Sequence, residues 1–165
     1  MGVKTIGSIE MTLDPGSIQN AITEVRHIQE QLVLAMNELI EKLALEGAQI
    51  ARAEVVAMDA VDTGELERSI YGYFDSGSRI GYVIAGAPHA FYVEYGTGIY
   101  GGHPEAEAAG WSYDVNGHGE GGWFYISDRD GKVHWTRGMV SRPFMYSTLA
   151  WLEEAAQSLG MSILS

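Results

Sequence analysis

The sequence predicts an α+β fold: a long N-terminal helix and a C-terminal helix packed on a small, mostly antiparallel β-sheet, with a long glycine- and aromatic-rich loop and hairpin outside it. Two stretches with apolar residues at steps of three and four flank a central region of short alternating segments and turn signals. Of the 165 residues, 46% are hydrophobic and 19% are charged, which is typical of one globular domain with a modest core.

Composition excludes several classes of protein. The chain has no cysteine, so it can hold neither a disulfide framework nor a thiolate metal site. No apolar run has the length of a membrane span, and the N-terminus lacks the charged and apolar regions of a secretory signal. We therefore expect a soluble protein without cofactors, and not a secreted precursor.

The charge balance is strongly acidic, with 10 basic against 22 acidic residues and a formal net charge of −12. Sequence-independent binding to nucleic acid needs a basic surface that releases counterions, so this class is disfavoured. No Lys or Arg lies between Arg79 and Arg129, and the acidic residues of that interval are Glu94, Glu105, Glu107, Asp114, Glu120 and Asp128. Two interpretations of the acidic excess stay open: it serves solubility alone, or it forms a surface that DNA passes without adhering.

The first helix is predicted over residues 15–58, after an N-terminal arm of residues 1–13 that has no period. Asp14 can cap it, and Pro15 suits its first turn because it loses no hydrogen bond there. Gly47 is its one weak point. The apolar stripe of this amphipathic helix consists of Ile18, Ile22, Val25, Leu32, Met36, Leu39 and Leu43.

The length of this helix has a functional consequence. At about 1.5 Å per residue it would span roughly 65 Å, more than a domain of this size can cover. Either the apolar stripe finds its partner in another subunit, or the chain folds back at Gly47 into a hairpin of two helices. We favour the oligomer.

The triplet Asp62-Thr63-Gly64 matches the active-site turn of aspartic proteases, in which two carboxylates share a proton. Only one such triplet is present, so a homodimer would have to supply the second. The simpler interpretation is that Asp62 or Thr63 caps a short helix over residues 64–69.

A β-hairpin is predicted next, with strands over 70–74 and from Ile80 onward, joined by the turn residues 75–78. Gly86 and Pro88 end its second strand.

Glu94 follows this hairpin and lies among large apolar and aromatic residues. A carboxylate in such surroundings must be paired or must reach water. Arg142 is one of the few cations able to meet it, so we predict a Glu94–Arg142 ion pair in which both residues are structural anchors. Gly96 and Gly98 are predicted to be positions where the backbone needs glycine.

Residues 99–138 are predicted to form an extended loop that ends in an aromatic hairpin. Residues 123–127 and 132–136 flank a turn of sequence Asp-Arg-Asp-Gly, the strongest hairpin signal in the chain. Such a hairpin is a natural contact surface, although it could equally supply further strands of the core sheet. A short strand is also possible around Trp111. The predicted contact residues of the hairpin are Trp123, Tyr125 and Trp135.

Four histidines, together with Glu94, are candidate metal ligands by residue type. None has the i, i+4 spacing of a zincin helix, so neither a metal site nor a catalytic residue is predicted. The histidines concerned are His89, His103, His118 and His134.

The final helix is predicted over residues 141–160, with Ser141 as its cap, Pro143 at its start and Gly160 at its end. Its predicted apolar stripe is Phe144, Leu149, Leu152, Ala156 and Leu159.

Three motifs occur in order after the long helix: Asp62-Thr63-Gly64-x-Leu66-x-x-Ser69-Ile70, then Phe91-Tyr92-Val93-Glu94-Tyr95-Gly96-Thr97-Gly98, then Arg142-Pro143-Phe144-Met145. In this order the set resembles the HK97 gp10 family of tailed-bacteriophage neck and tail-completion proteins. The resemblance covers roughly residues 36–159. Residues 113–135 resemble an insertion found in one branch of the family, common in phages and prophages of Gram-positive bacteria.

The resemblance implies a structural virion protein of a siphovirus-type phage: a hexameric ring in the neck through which the genome passes during ejection. The implied partners are further copies of the chain, a head-side connector or stopper protein, a tail terminator or tail tube protein, and genomic DNA that is not specifically bound. The family has no established catalytic residues, so none is assigned.

Three alternatives stay open: a tail terminator that caps the tail tube, a small toxin-like module, and an aspartic-type hydrolase using Asp62. The predicted structural and interface residues are Asp62, Thr63, Gly64, Glu94, Gly96, Gly98, Trp111, Trp123, Tyr125, Trp135, Arg142, Pro143 and Phe144.

Overall fold

The computed structural model describes residues 14–102, 121–127 and 129–164, and it confirms the α+β fold class. The predicted arm of residues 1–13, the possible strand around Trp111, and His103 and His118 lie outside these ranges. The described helices are α1 (Pro15–Ala57), α2 (Glu65–Ser69), α3 (Ala90–Tyr95) and α4 (Phe144–Leu164). The described strands are β1 (Ile70–Asp75), β2 (Ile80–Ala85), β3 (Thr97–Gly98), β4 (Trp123–Ile126), β5 (Val133–Thr136) and β6 (Gly138–Met139).

The described strands form three separate antiparallel pairs, β1–β2, β3–β6 and β4–β5, whereas the sequence predicts one small sheet. The aromatic hairpin β4–β5 therefore contributes no strand to a core sheet. In β1–β2, Ile70 pairs with Ala85 and Asp75 pairs with Ile80. The Asp75 side chain closes the turn between them, because its carboxylate accepts hydrogen bonds from the Gly77 N–H at 2.9 Å and the Ser78 hydroxyl at 2.7 Å.

Helix α1 begins and ends where local signals place it. The Asp14 carboxylate accepts hydrogen bonds from the N–H groups of Gly16 and Ser17, both at 3.0 Å, which satisfies two of the unpaired donors of the first turn. At the other end, Asp59 adopts a positive φ of 52° and Ala60 N–H donates to the Val55 carbonyl at 2.9 Å. This is a Schellman motif, in which a left-handed residue terminates the helix.

The predicted alternative of a fold-back at Gly47 is wrong, because α1 is continuous through this residue. Gly47 is a packing position: a Cβ there would lie 3.0 Å from a methyl carbon of Val83 and 3.1 Å from one of Leu152. Gly72 of β1 lies still closer to α1, since a Cβ on it would lie 2.0 Å from the Ala44 carbonyl oxygen. These glycines allow α1 to lie directly on the β1–β2 hairpin.

The core is formed by the second half of α1, helix α2, the start of β1, the segment around α3 and the first turn of α4. Val55, Ile70 and Phe144 are its largest fully buried apolar side chains. Its buried members are Ala48, Ala51, Val55, Leu66, Ile70, Ala87, Ala90, Val93 and Phe144.

Helix α4 runs antiparallel to α1, because Phe144 shares the core cluster with Val55 while Leu152 lies against Gly47. Both helices rise about 1.5 Å per residue, so the end of α4 lies alongside about residue 35 of α1. Two predictions for α4 are wrong. The helix begins at Phe144, whereas the sequence predicts a start at residue 141. It also continues past Gly160 to Leu164, because one glycine in a helix interior costs only about 1 kcal/mol.

The predicted apolar stripe of α4 is also partly wrong. Leu149 and Ala156 are exposed, whereas Thr148 is fully buried and its hydroxyl donates to the Phe144 carbonyl at 2.7 Å. Positions 144 and 148 lie four residues apart and therefore share the face that packs inward, from which Leu149 is rotated away by about 100°.

The first half of α1, up to about residue 35, extends beyond the end of α4. Apart from Ala21, no residue from Pro15 to Leu43 is buried. Four side chains of the predicted apolar stripe are each 41–50% exposed: Ile18, Ile22, Val25 and Met36.

Candidate functional site

The Glu94 carboxylate caps the N-terminus of helix α4. Only 7% of Glu94 is exposed, and its two carboxylate oxygens accept hydrogen bonds from the N–H groups of Met145 at 2.9 Å and Tyr146 at 3.0 Å. The first N–H groups of a helix have no partner within it, and the helix dipole favours an anion there. A side chain 51 residues away in the sequence thus supplies the cap and fastens α3 to α4.

The backbone around Glu94 strengthens this junction. The Ser141 hydroxyl donates to the Glu94 carbonyl, and the Arg142 N–H donates to the Val93 carbonyl at 2.8 Å. The predicted Glu94–Arg142 ion pair is wrong, since the ion pairs between described side chains do not include it. Ser141 does not cap α4 either, because Glu94 occupies that role. Pro143 precedes α4 directly, and its carbonyl accepts from the Ser147 N–H at 3.0 Å.

Gly96 and Gly98 carry the chain from α3 into β3 with positive φ angles of 73° and 60°. A Cβ on Gly96 would lie 2.6 Å from the Met139 carbonyl oxygen, and one on Gly98 would lie 2.2 Å from the Arg137 carbonyl oxygen. Both the conformation and the space therefore require glycine. Strand β3 pairs Gly98 with Gly138 of β6, so residues 99–137 leave and re-enter the body at adjacent points.

The Asp62-Thr63-Gly64 triplet lies at the start of α2. Gly64 occupies the cap position with a φ of 76°, and the Thr63 hydroxyl accepts from the Glu65 N–H at 3.3 Å. Asp62 caps nothing in the described structure; its carboxylate forms an ion pair with Arg129 at 2.9 Å, and both side chains are largely exposed. Of the two predicted caps, Asp62 is wrong; Thr63 contacts the Glu65 N–H, but the cap position itself belongs to Gly64. The observed partner of Asp62 is a cation, where the aspartic-protease arrangement needs a second carboxylate.

Ser69, in the second part of the motif that begins at Asp62, contacts the segment before α3. The Ser69 hydroxyl donates to the Leu66 carbonyl at 2.7 Å and accepts from the Ala87 N–H at 3.0 Å. The second and third motifs are joined by the hydrogen bonds of Glu94, Ser141 and Arg142, and all three motifs meet in the core. The buried core residues that they contribute are Leu66, Ile70, Val93 and Phe144.

The aromatic hairpin β4–β5 carries an entirely apolar face. Phe124 pairs with Trp135 and Ile126 pairs with Val133, and since paired residues lie on the same side of a sheet, these four side chains share one face. Each is 53–72% exposed. We call Phe124, Ile126, Val133 and Trp135 the hairpin face.

Two of the three predicted contact residues, Trp123 and Tyr125, lie on the other side of the hairpin from Trp135, because successive strand residues alternate. Sequence reasoning missed Phe124, Ile126 and Val133, which a period-two comparison of the two strands could have found.

His134 belongs to the turn of this hairpin, where its ring nitrogen lies 3.0 Å from the Asp130 carboxylate. Hydrogen bonds from the Lys132 N–H and from His134 hold the pKa of Asp130 below its ordinary value. Among the described residues, no group of three or more His, Asp or Glu side chains could hold a metal ion.

An open groove of about 640 Å³ lies between the middle of α1, strand β2 and helix α4. Glu94 contributes to its wall, and its apolar lining includes Ile40, Leu43, Val83, Met145, Leu149 and Leu152.

Comparisons with protein-family models, curated proteins and solved structures found no match for this chain. Within the described part of the chain, no helix combines the length and the apolar character that a bilayer span requires.

Proposed function

We propose that this chain is a structural virion protein of a tailed phage or prophage, which forms a ring in the neck that joins the DNA-filled head to the tail. Its partners would be further copies of itself, a head-side connector or stopper protein, and a tail terminator or tail tube protein. The genome would pass through the ring without being specifically bound.

The observation that carries this proposal is the first half of α1. A helix whose apolar stripe extends past its own body needs a partner for that stripe, because burial of apolar area is the main force available to hold it. Ile22 and Val25 lie on this stripe, and both remain substantially exposed. A neighbouring copy would cover them.

The character of the motif residues supports the proposal. Glu94, Gly96 and Gly98 make capping and backbone contacts of the kind that hold a scaffold in shape. The net charge of −12 supports the DNA passage, since a ring with an acidic bore would release no phosphate counterions and would not retain the duplex.

The test is the mass of the purified protein by light scattering over a range of concentrations, with negative-stain images of the same fraction. We expect a closed ring whose hole is wide enough for duplex DNA, and no retention of linear DNA in a gel-shift experiment at physiological salt. A monomer at every concentration, or a complex with DNA that forms in the absence of other proteins, would contradict the proposal.

The alternatives predict different binding. A tail terminator would bind isolated tail tubes and would not bind DNA-filled heads, whereas a neck connector would bind filled heads. If the chain is a hydrolase, Asp62→Asn should abolish turnover. If Asp62 only forms the structural ion pair with Arg129, the same substitution should cause no more than a small loss of stability.

A further inference from the structure

Two apolar faces of the described chain have no extensive partner within it. One is the exposed stripe on the first half of α1, represented by Ile22 and Val25. The other is the hairpin face, whose strands β4 and β5 contact each other extensively and the remaining described elements only sparsely. A two-stranded hairpin is marginally stable in water, so its apolar face gains most from being covered.

The chain cannot bring these two faces together by itself. Arg129 in the hairpin turn forms its ion pair with Asp62, which follows the C-terminal end of α1. The base of the hairpin joins β6 beside the first turn of α4, at the same end of the molecule. Val25 lies about 50 Å from that end along the helix, at about 1.5 Å per residue. The described part of the chain, residues 14–102, 121–127 and 129–164, therefore offers neither face a partner, and a second copy of the chain can supply both.

The charges around the two faces favour their meeting. Residues 123–137 carry Arg129, Lys132 and Arg137 against Asp128 and Asp130, a net excess of one basic residue in a strongly acidic chain. Residues 15–35 of α1 carry Glu24 and Glu30 against Arg26, a net excess of one acidic residue. Opposite charges at the rim of an interface steer association and fix its register.

The dimensions also match. Two alternate positions on a strand lie about 7 Å apart, and neighbouring strands lie about 4.8 Å apart. The hairpin face is therefore about as long as one to two turns of a helix, each about 5.4 Å. It could cover the part of the stripe that contains Ile22 and Val25.

We propose that the hairpin face of one copy packs on the α1 stripe of the next copy. The inference rests on the proposed function in one respect only, that the partner is a second copy of this chain. Because the two faces differ, the contact is heterologous: it closes into a ring if the rotation between copies allows closure, and it grows into a filament otherwise. It also predicts that α1 bridges neighbouring copies.

Thiol crosslinking tests this contact directly, because the natural chain has no cysteine. Two single-cysteine variants are made, Val25→Cys on the stripe and Ile126→Cys on the hairpin face, and treated with a short bismaleimide reagent. We expect crosslinked dimers when the two variants are mixed and none when either is treated alone. His27→Cys, at an exposed position rotated by about 160° from Val25 around α1, is the matched control and should not crosslink to Ile126→Cys.

Each other result overturns the inference in a recognisable way. A crosslink within Val25→Cys alone would mean that two copies of α1 pair with each other. Oligomers of unchanged mass without a Val25–Ile126 crosslink would remove this contact and leave the proposed ring intact. A monomeric protein without crosslinks would remove both.

A second variant tests the same contact if the cysteine variants do not fold. Since Gly98 and Gly138 are paired across β3–β6, replacing residues 99–137 by an Asn-Gly turn should excise the hairpin and leave the body closed. We expect this variant to fold, to unfold in one cooperative transition on heating, and to be monomeric. A folded excision variant that still assembles would overturn the proposal.

Discussion

The two halves of α1 belong to one continuous helix and share one apolar period, and yet they differ in what covers them. The second half contains Ala44, Gly47, Ala48, Ala51 and Val55, all buried against the β1–β2 hairpin, helix α4 and the core. The first half repeats large apolar residues just as regularly and leaves them about half exposed. Small residues mark the covered half, because only they allow other elements to approach the helix axis closely.

The difference indicates that the second half of α1 stabilises the monomer and that the first half is available for assembly. Large residues on the first half make it a poor surface for close packing within the chain and a good one for contact with a neighbour. We therefore expect substitutions in the second half to change the folding of the monomer, and substitutions in the first half to change association.

The largest effect is expected at Glu94, which fastens α4 to the region packed by the second half of α1. Glu94→Gln keeps the volume but loses the charge, and it can turn an amide donor toward an N–H group of the helix terminus. We expect a loss of about 2–4 kcal/mol in the free energy of unfolding, measured by urea titration.

The matched control for Glu94 is Glu30→Gln on the projecting half, where a surface change should stay within about 0.5 kcal/mol. If the two substitutions cost the same, the capping role of Glu94 is wrong.

The comparison itself is tested by one substitution made in both halves. Val55→Ala removes two methyl groups from a fully buried site and should cost about 1–3 kcal/mol, whereas Val25→Ala at a half-exposed site should cost no more than about 0.5 kcal/mol. Both are measured by urea titration in the excision variant, in which association does not contribute. Equal costs would mean that the first half is packed within the chain.

The smallest effect is expected in the turn of the β4–β5 hairpin at low pH. The pKa of Asp130 is lowered in the folded protein, so its stabilising contribution is present above the ordinary value of 3.8 and is lost as the pH falls through the folded value. Below about pH 4 we expect the hairpin to loosen, seen in the fluorescence of Trp123 and Trp135. Asp130→Asn should remove this pH dependence, and a transition that persists in this variant would assign it to another group.

Local sequence signals were sufficient to predict the elements whose stabilising contacts lie between residues close together in the chain. Asp14 and Pro15 placed the start of α1, and turn residues placed both hairpins, because a cap or a turn involves side chains within three or four residues of the backbone they satisfy. The fold class follows from these elements.

The contacts of Glu94 could not be predicted in this way. Its surroundings indicated correctly that it must have a partner, but Arg142 is only one of many groups that the chain could bring to it. The observed partners are backbone N–H groups, which carry no signature in the sequence because every residue except proline has one.

The sequence by itself determined helices α1, α2 and α4, the hairpins β1–β2 and β4–β5, and the apolar period of α1. Tertiary structure alone decided that Gly47 and Gly72 would become contact points between α1 and its neighbours, and that Glu94 would cap α4. It also decided which half of α1 would be covered. The physical reason is that periodicity records which side of a helix is apolar, while the element that covers that side depends on contacts between residues far apart in the chain.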